Sequence, residues 1–254
     1  MRLPLTGWFL CAAALLSSCT KQPNPEAPAK LTVAAASNLT DVLGEVGRAF
    51  QAKTGIEVVF SYGSTAQLAQ QIDNGAPFDV FAAADTEHVD SLVNRGKLMA
   101  ESRAVYALGQ LGLWIPAGDQ SGVRQLKDLA SPRVHFIAIA QPELAPYGKA
   151  SLEVLKGSGL WAGVQQKIVY ASNISLAKQL AASGNAEAAF TASSLLLQEK
   201  GTVLKIDSHL YQPIEQALGV VASSPRIENA KEFRSFLLGK EGRTILTHSG
   251  YLAP

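Results

Sequence analysis

Cysteine is nearly missing: the 254 residues contain two, Cys11 and Cys19, both within the first nineteen positions. The rest of the chain can form neither a disulfide nor a thiolate metal site, so its stability has to come from packing. Histidine is also sparse, and His88, His135, His209 and His248 include no i, i+4 pair. That spacing offers no zinc motif and no evident general base, and all four read as structural or surface residues. Charge of one sign is not in excess either, since 22 Lys and Arg face 21 Asp and Glu, and the difference vanishes once Arg2 is set aside. A balanced chain is not drawn to nucleic acid or to anionic lipid. There is no G-x-S-x-G elbow, no G-x-x-x-x-G-K-[ST] loop and no G-x-G-x-x-G after a strand. The usual signatures of serine hydrolases and nucleotide-binding proteins are therefore absent.

What is present begins at the N-terminus. Arg2, the apolar run from Trp8 to Leu16, and Leu16-Ser17-Ser18-Cys19 read as a secretory signal ending in a lipoprotein cleavage box. The run is too short to span a bilayer as a mature helix. Residues 1–19 are expected to be the signal, with Cys19 becoming the lipidated first residue; an ordinary signal cleaved elsewhere, with Cys19 incidental, is the alternative. Residues 20–30, with Pro23, Pro25 and Pro28 among polar neighbours, read as a tether. The protein is expected to work in the periplasm or another extracytoplasmic space, anchored to a membrane through Cys19.

From Leu31 the pattern changes to repeated strand, turn and helix. Leu31 to Ala36 is an apolar run, followed by Leu39, Val42, Leu43, Val46 and Phe50 at helical spacing up to Gly55. The same unit recurs with Ile56 to Phe60 before Thr65 to Ile72, and with Phe78 to Ala83 before Thr86 to Val93. A second set follows: Arg133 to Ala140 before Tyr147 to Leu155, Lys167 to Ala171 before Ile174 to Ala182, and Ala186 to Phe190 before Ser193 to Gln198. Apolar strands alternating with helices predict parallel sheets covered on both faces, a doubly wound α/β fold. The length suits two lobes better than one. The amphipathic stretches Ile227 to Leu238 and Glu241 to Thr247 close the chain as lobe cover.

In such sheets ligands bind beyond the carboxyl ends of the strands, where helix N-termini point. Three of these ends carry small donors: Ser37-Asn38-Leu39-Thr40-Asp41, Ser61-Tyr62-Gly63-Ser64-Thr65, and Ala145-Pro146-Tyr147-Gly148. Each alone is an ordinary helix start, since Ser, Thr and Asn are preferred N-caps. Together they read as an anion site, because converging N-termini supply unpaired N–H groups and partial positive charge. No Lys or Arg lies between Ser37 and Gly44 or between Ser61 and Ala69.

These residues also carry a family resemblance. Leu31-Thr32-Val33-Ala34-Ala35-Ala36-Ser37, Gly63-Ser64-Thr65 with Leu68-Ala69-Gln70-Gln71-Ile72, Gly75-Ala76-Pro77-Phe78-Asp79-Val80-Phe81-Ala82-Ala83-Ala84-Asp85, and Pro142-Glu143 before Ala145-Pro146-Tyr147-Gly148 resemble the periplasmic molybdate-binding proteins of ABC importers. The resemblance runs from about Leu31 to the C-terminus, including Gly219-Val220-Val221 and the Phe233 to Leu238 helix. It implies a type II periplasmic binding fold, with two α/β lobes joined by two crossover segments near Ala107 to Gln110 and Ile214 to Leu218. Lobe I would hold residues 31–108 and 218–254, and lobe II residues 109–217. The implied ligand is molybdate or tungstate, with molybdenum held only as the oxyanion; there is no cofactor, no direct protein ligand to the metal and no catalysis. The implied partner is a membrane permease, and the protein itself a monomer.

Carried over to this chain, the resemblance gives Ser37 a hydroxyl and amide role, with Asn38 beside it. Ser64 and Thr65 match the second loop, Thr65 aligning better with the contacting position. Tyr147 falls where members use a backbone amide or a tyrosine, and Ile174 where a backbone N–H contributes. Ala192 departs from the pattern, since some members place a donor tyrosine there, and Tyr147 is the available substitute.

Ligand chemistry narrows the choice further. A proton-free oxyanion accepts hydrogen bonds only, whereas a receptor for protonated phosphate requires an acceptor in its site. Asp41 and Asp85 are the nearest carboxylates, and both are better read as helix-start residues. Sulfate or phosphate as cargo, and a lipid-anchored serine hydrolase, are the competing readings.

Overall fold

The computed structural model describes residues 30–254. The expected signal, the lipidated Cys19 and the tether as far as residue 29 lie outside the described residues. Lys30, placed in the tether by the sequence reading, opens the first strand.

The first lobe starts with β1 (Lys30–Ala36), a 3-10 turn at Ser37–Leu39 and α1 (Thr40–Thr54). Val42, Leu43, Val46 and Phe50 form the buried face of α1, and Gly55, with a φ of 77°, closes it in the left-handed region that favours glycine. β2 (Glu57–Gly63), α2 (Thr65–Asp73), β3 (Val80–Ala82) and α3 (Glu87–Asn94) repeat the unit. The chain leaves this lobe along β4 (Ala104–Gly109), and one residue later β5 (Leu111–Pro116) begins the second sheet.

The second lobe continues with β6 (Ile137–Ala140), α4 (Pro146–Gly157), the short α5 (Trp161–Val164), β7 (Ile168–Ala171), α6 (Ile174–Ala182), β8 (Ala188–Ala192) and β9 (Gly201–Lys205). The chain returns along β10 (Ile214–Val220), which joins the first sheet, and ends with α7 (Ile227–Leu238) and α8 (Lys240–His248).

The two sheets are built alike, in the orders β2-β1-β3-β10-β4 and β7-β6-β8-β5-β9. In each, the first three strands are parallel, and the fourth runs against both of its neighbours. The expectation of wholly parallel sheets is thus corrected to mixed ones. The reason is topological: a strand that carries the chain across to the other lobe is not returned by a helix, so it lacks the crossover that enforces parallel pairing. The doubly wound two-lobe α/β architecture itself is as read. Leu31, Val33 and Ala35 face α1, α7 and α8, while Ala34 and Phe81 face Leu68, Val89 and Leu92 of α2 and α3, so the first sheet is covered on both sides. Phe50 anchors the C-terminal helices through edge contacts with Phe233 at 5.3 Å and Phe236 at 5.5 Å. No helix among the described residues is long and apolar enough to cross a membrane.

Candidate functional site

The parallel strands end on the side where the lobes meet. There Ala36, Ser37, Asn38, Gly63, Ser64, Thr65, Ala84, Ala145, Pro146, Tyr147 and Ile174 line one small cavity of about 10 Å³, room for about one water. All six residues singled out in the sequence, Ser37, Asn38, Ser64, Thr65, Tyr147 and Ile174, are brought together here and buried. No charged side chain lines the cavity. Asp85, Glu143 and Lys149 line a neighbouring cleft instead, and Asp41 is exposed in the first turn of α1.

Each element that reaches the cavity does so with its N-terminus: the turn leading into α1, then α2, α4 and α6. The leading N–H groups of a helix have no partner inside it, and the aligned peptide dipoles add partial positive charge. Pro146 occupies the first turn of α4, where its missing N–H costs nothing, and the Tyr147 N–H follows it. A Cβ on Gly148 would overlap the Ala140 carbonyl oxygen, so only glycine lets α4 start this close to the end of β6. At α6 the Asn173 side chain caps the helix by accepting from the Leu176 N–H at 3.0 Å, and Ile174 at the helix start lines the cavity.

The hydroxyls differ in what they have left to give. Thr65 Oγ1 accepts the Ala84 N–H at 3.1 Å and keeps its own proton. Ser64 Oγ donates to Gln67 Oε1 at 2.8 Å. The Ser37 carbonyl accepts from Thr40 Oγ1 at 2.7 Å and from Ser175 Oγ at 2.8 Å, while the Ser37 hydroxyl has no protein partner among the described residues.

Bonds between the lobes at the cavity's edge include Ser175 Oγ of α6 to the Ser37 carbonyl, the Ala66 N–H of α2 to the Leu144 carbonyl at 3.1 Å and Ser194 Oγ to the Asn38 carbonyl at 3.4 Å. Behind the cavity lies a buried polar network that the sequence reading did not identify. Asn38 Nδ2 donates to Gln216 Oε1 at 2.9 Å and to Tyr251 Oη at 3.0 Å, and Gln216 Nε2 donates to Tyr147 Oη at 3.0 Å. Tyr106 Oη donates to the Ala83 carbonyl at 2.8 Å and lies 3.0 Å from Gln216 Oε1. Tyr251 Oη donates to the Asn38 carbonyl at 2.8 Å and stands 3.1 Å from Ser194 Oγ. Burial pushes the Tyr106, Tyr147 and Tyr251 hydroxyls well above their ordinary range, so they stay protonated. The one signal in the sequence was a polar Gln216 immediately before the apolar run Ala217-Leu218-Gly219-Val220.

This network changes the expected part of Tyr147. Its hydroxyl lies at the hinge against Gly109, where an added Cβ would come within 2.6 Å of Gln216 Nε2 and would overlap Tyr147 Oη. The Tyr147 hydroxyl is therefore engaged by Gln216 at the hinge rather than free to stand in for a tyrosine at position 192. Ala192, at the end of β8, does not line the cavity.

Comparison with known proteins follows the same lines. The chain is 33% identical over 229 residues to the molybdate-binding protein ModA of Rhodobacter capsulatus, covering 90% of each. It is 32% identical over 259 residues to the molybdate-binding protein ModA of Azotobacter vinelandii, covering 99% of each. The solved Azotobacter vinelandii periplasmic molybdate-binding protein superposes with a TM-score of 0.84 at 34% identity, covering 88% of this chain and 99% of that one. Residues 31–252, nearly the whole described body, match a single family model, and the chain belongs to the bacterial extracellular solute-binding proteins.

Proposed function

We propose that this protein captures molybdate, and tungstate with it, between its two lobes and delivers the closed complex to the permease of an ABC importer. The observation that carries the reading is the single small cavity at four helix starts, walled by uncharged residues alone. A proton-free tetrahedral oxyanion accepts on every oxygen, and this wall offers N–H and O–H groups to meet it. In this reading Ser37 and Thr65 give hydroxyls, and Asn38, Ser64, Tyr147 and Ile174 give backbone N–H groups. Donors from both lobes meet on one ion, so the ion favours the closed form by its differential affinity for it. We take lobe I as residues 31–108 and 218–254 and lobe II as 109–217, with the crossings near Ala107 to Gln110 and Ile214 to Leu218. The family relation and the absence of a carboxylate from the wall support this reading over a phosphate receptor. A serine hydrolase is disfavoured because neither Ser37 nor Ser64 has a histidine partner.

We further take the protein to be a monomer anchored through a lipidated Cys19, which metabolic labelling with a radioactive fatty acid in cells would detect and Cys19→Ala would abolish. The test of cargo is a thermal-shift panel with molybdate, tungstate, sulfate and phosphate. Ligand at about 100 times its Kd adds ~2.7 kcal/mol to the native state, so the first two anions should raise Tm by several degrees. An equal rise with sulfate, or none with molybdate, would overturn the assignment.

A further inference from the structure

The hinge network contains an unpartnered atom. Asn38 Oδ1 is buried and has no hydrogen-bond partner, while both N–H groups of the same amide are taken by Gln216 and Tyr251. An unsatisfied buried acceptor on a residue that lines the cavity is costly in the empty protein and unfavourable near an arriving anion.

The same heavy-atom positions accommodate a second arrangement, with the amides of Asn38 and Gln216 both turned end for end. Tyr147 then donates its hydroxyl proton across the 3.0 Å contact to Gln216 Oε1. Gln216 Nε2 donates to Asn38 Oδ1 across 2.9 Å and to Tyr106 Oη across 3.0 Å, while Tyr106 still donates to the Ala83 carbonyl at 2.8 Å. Tyr251 Oη, 2.8 Å from the Asn38 carbonyl and 3.0 Å from Asn38 Oδ1, shares its proton between these two acceptors and receives Ser194 Oγ at 3.1 Å. Every tyrosine proton now has an acceptor. The atom left over is Asn38 Nδ2, a donor on a residue that lines the cavity.

We propose that Gln216 is a positioning residue for anion selectivity: anchored on Tyr147, it turns Asn38 so that the N–H end of its amide, rather than the carbonyl end, is left to the bound oxyanion. This rests on the oxyanion reading above and adds to it the residue that sets the polarity of the wall. Gln216 is placed for the task, because β10 shifts register between Gln216 and Ala217 and the side chain touches both the Asn38 loop of the first lobe and the Tyr147 helix of the second. Both lobes thereby act on one amide.

The experiment is a double-mutant cycle on the full chain with Gln216→Met, Asn38→Ala and the pair, measuring Kd for molybdate and for phosphate by calorimetry, with unliganded Tm alongside. Gln216→Met should weaken molybdate about tenfold or more and narrow its margin over phosphate. The same change made in Asn38→Ala should have almost no further effect, because its route runs through Asn38. In the wild type, the side-chain NH₂ resonance of Asn38, assigned by its loss in Asn38→Asp, should shift on adding molybdate; this reading needs no hinge variant to fold. Unchanged molybdate affinity in a folded Gln216→Met, an equal loss in both backgrounds, or an unmoved Asn38 resonance in the saturated wild type would each overturn the proposal. Failure of the wild type to bind molybdate at all would instead remove the reading beneath it.

Discussion

Removing one hydroxyl from the cavity separates binding from stability. Ser37 is the suitable residue, because its side chain engages nothing else among the described residues, and the bonds it makes to Thr40 and Ser175 use its carbonyl. Ser37→Ala therefore leaves the protein framework intact, and the unliganded Tm should change by less than the equivalent of ~0.5 kcal/mol. A hydrogen bond to a charged partner contributes about 1.5–3 kcal/mol, so the molybdate Kd should rise by roughly ten- to a hundredfold. Thermal shift reports the same quantity independently. At a molybdate concentration about 100 times the wild-type Kd, the wild type gains ~2.7 kcal/mol, and the variant should gain only ~0.4–1.4 kcal/mol. Calorimetric Kd and ligand-induced ΔTm must agree for the interpretation to hold. A Ser37→Ala protein that binds molybdate as tightly as the wild type would refute the claim that this hydroxyl meets the ion.

Ser175→Ala deletes a bond between lobes without touching the cavity wall, at a net loss of ~0.5–1.5 kcal/mol from the closed form. Stopped-flow measurements should show a severalfold faster release of molybdate with association little changed; unaltered release would count against the bond. Asp79 is fully buried and accepts from the Thr32 N–H, Ser224 Oγ and Arg226 Nη1. Asp79→Ala strands these partners, and a loss of about 3–5 kcal/mol, seen as a Tm fall of roughly 10 °C, is expected by differential scanning calorimetry. A fall of only a degree or two would show the cluster to be dispensable. The His88 pKa is raised above 6.5 by its hydrogen bond to Asp85, against burial, with the Asp85 and Glu87 charges adding to the rise and Arg95 opposing it. Its contribution is therefore complete below the unfolded pKa and disappears as pH climbs through the higher folded value. The Tm advantage of wild type over His88→Gln should shrink as pH rises from below to well above about 6.5, and an advantage that grows with rising pH would reverse the assignment.

Much of this molecule was legible because its strands and helices follow hydrophobic period. The Val42, Leu43, Val46 and Phe50 face of α1 and the apolar β1 needed only local pattern, and the helix starts at Ser37, Thr65, Tyr147 and Ile174 carried their own signals. Ser37, Ser64, Thr65 and Tyr147 read together as an anion site from their places at strand ends, whereas Ile174 joined them only through the family resemblance, since contacts between residues 37 and 174 leave no trace in either segment alone. The antiparallel strands were less legible. β4, β5, β9 and β10 alternate with no helix, and their pairing depends on where the chain changes lobes. The hinge network was missed for a different reason: Asn38, Tyr106, Tyr147, Gln216 and Tyr251 are spread across the whole chain, and their hydroxyl and amide bonds arise only after both lobes are packed. Tyr147 illustrates the limit, since its position beside the cavity was foreseen and the direction of its hydroxyl was not.

The approach of α2, α4, α6 and the turn before α1 to a single point has a thermodynamic side that concerns the unladen protein. On the proposed reading, four like-signed dipole ends would crowd together as the lobes close, and without a counter-ion they would repel one another across a space too small for bulk water to screen them. Shutting on nothing is thereby self-opposing. A transporter that recognises the shut shape would seldom be engaged by a vacant receptor, and futile ATP hydrolysis would be limited by the receptor's own backbone rather than by any dedicated gate.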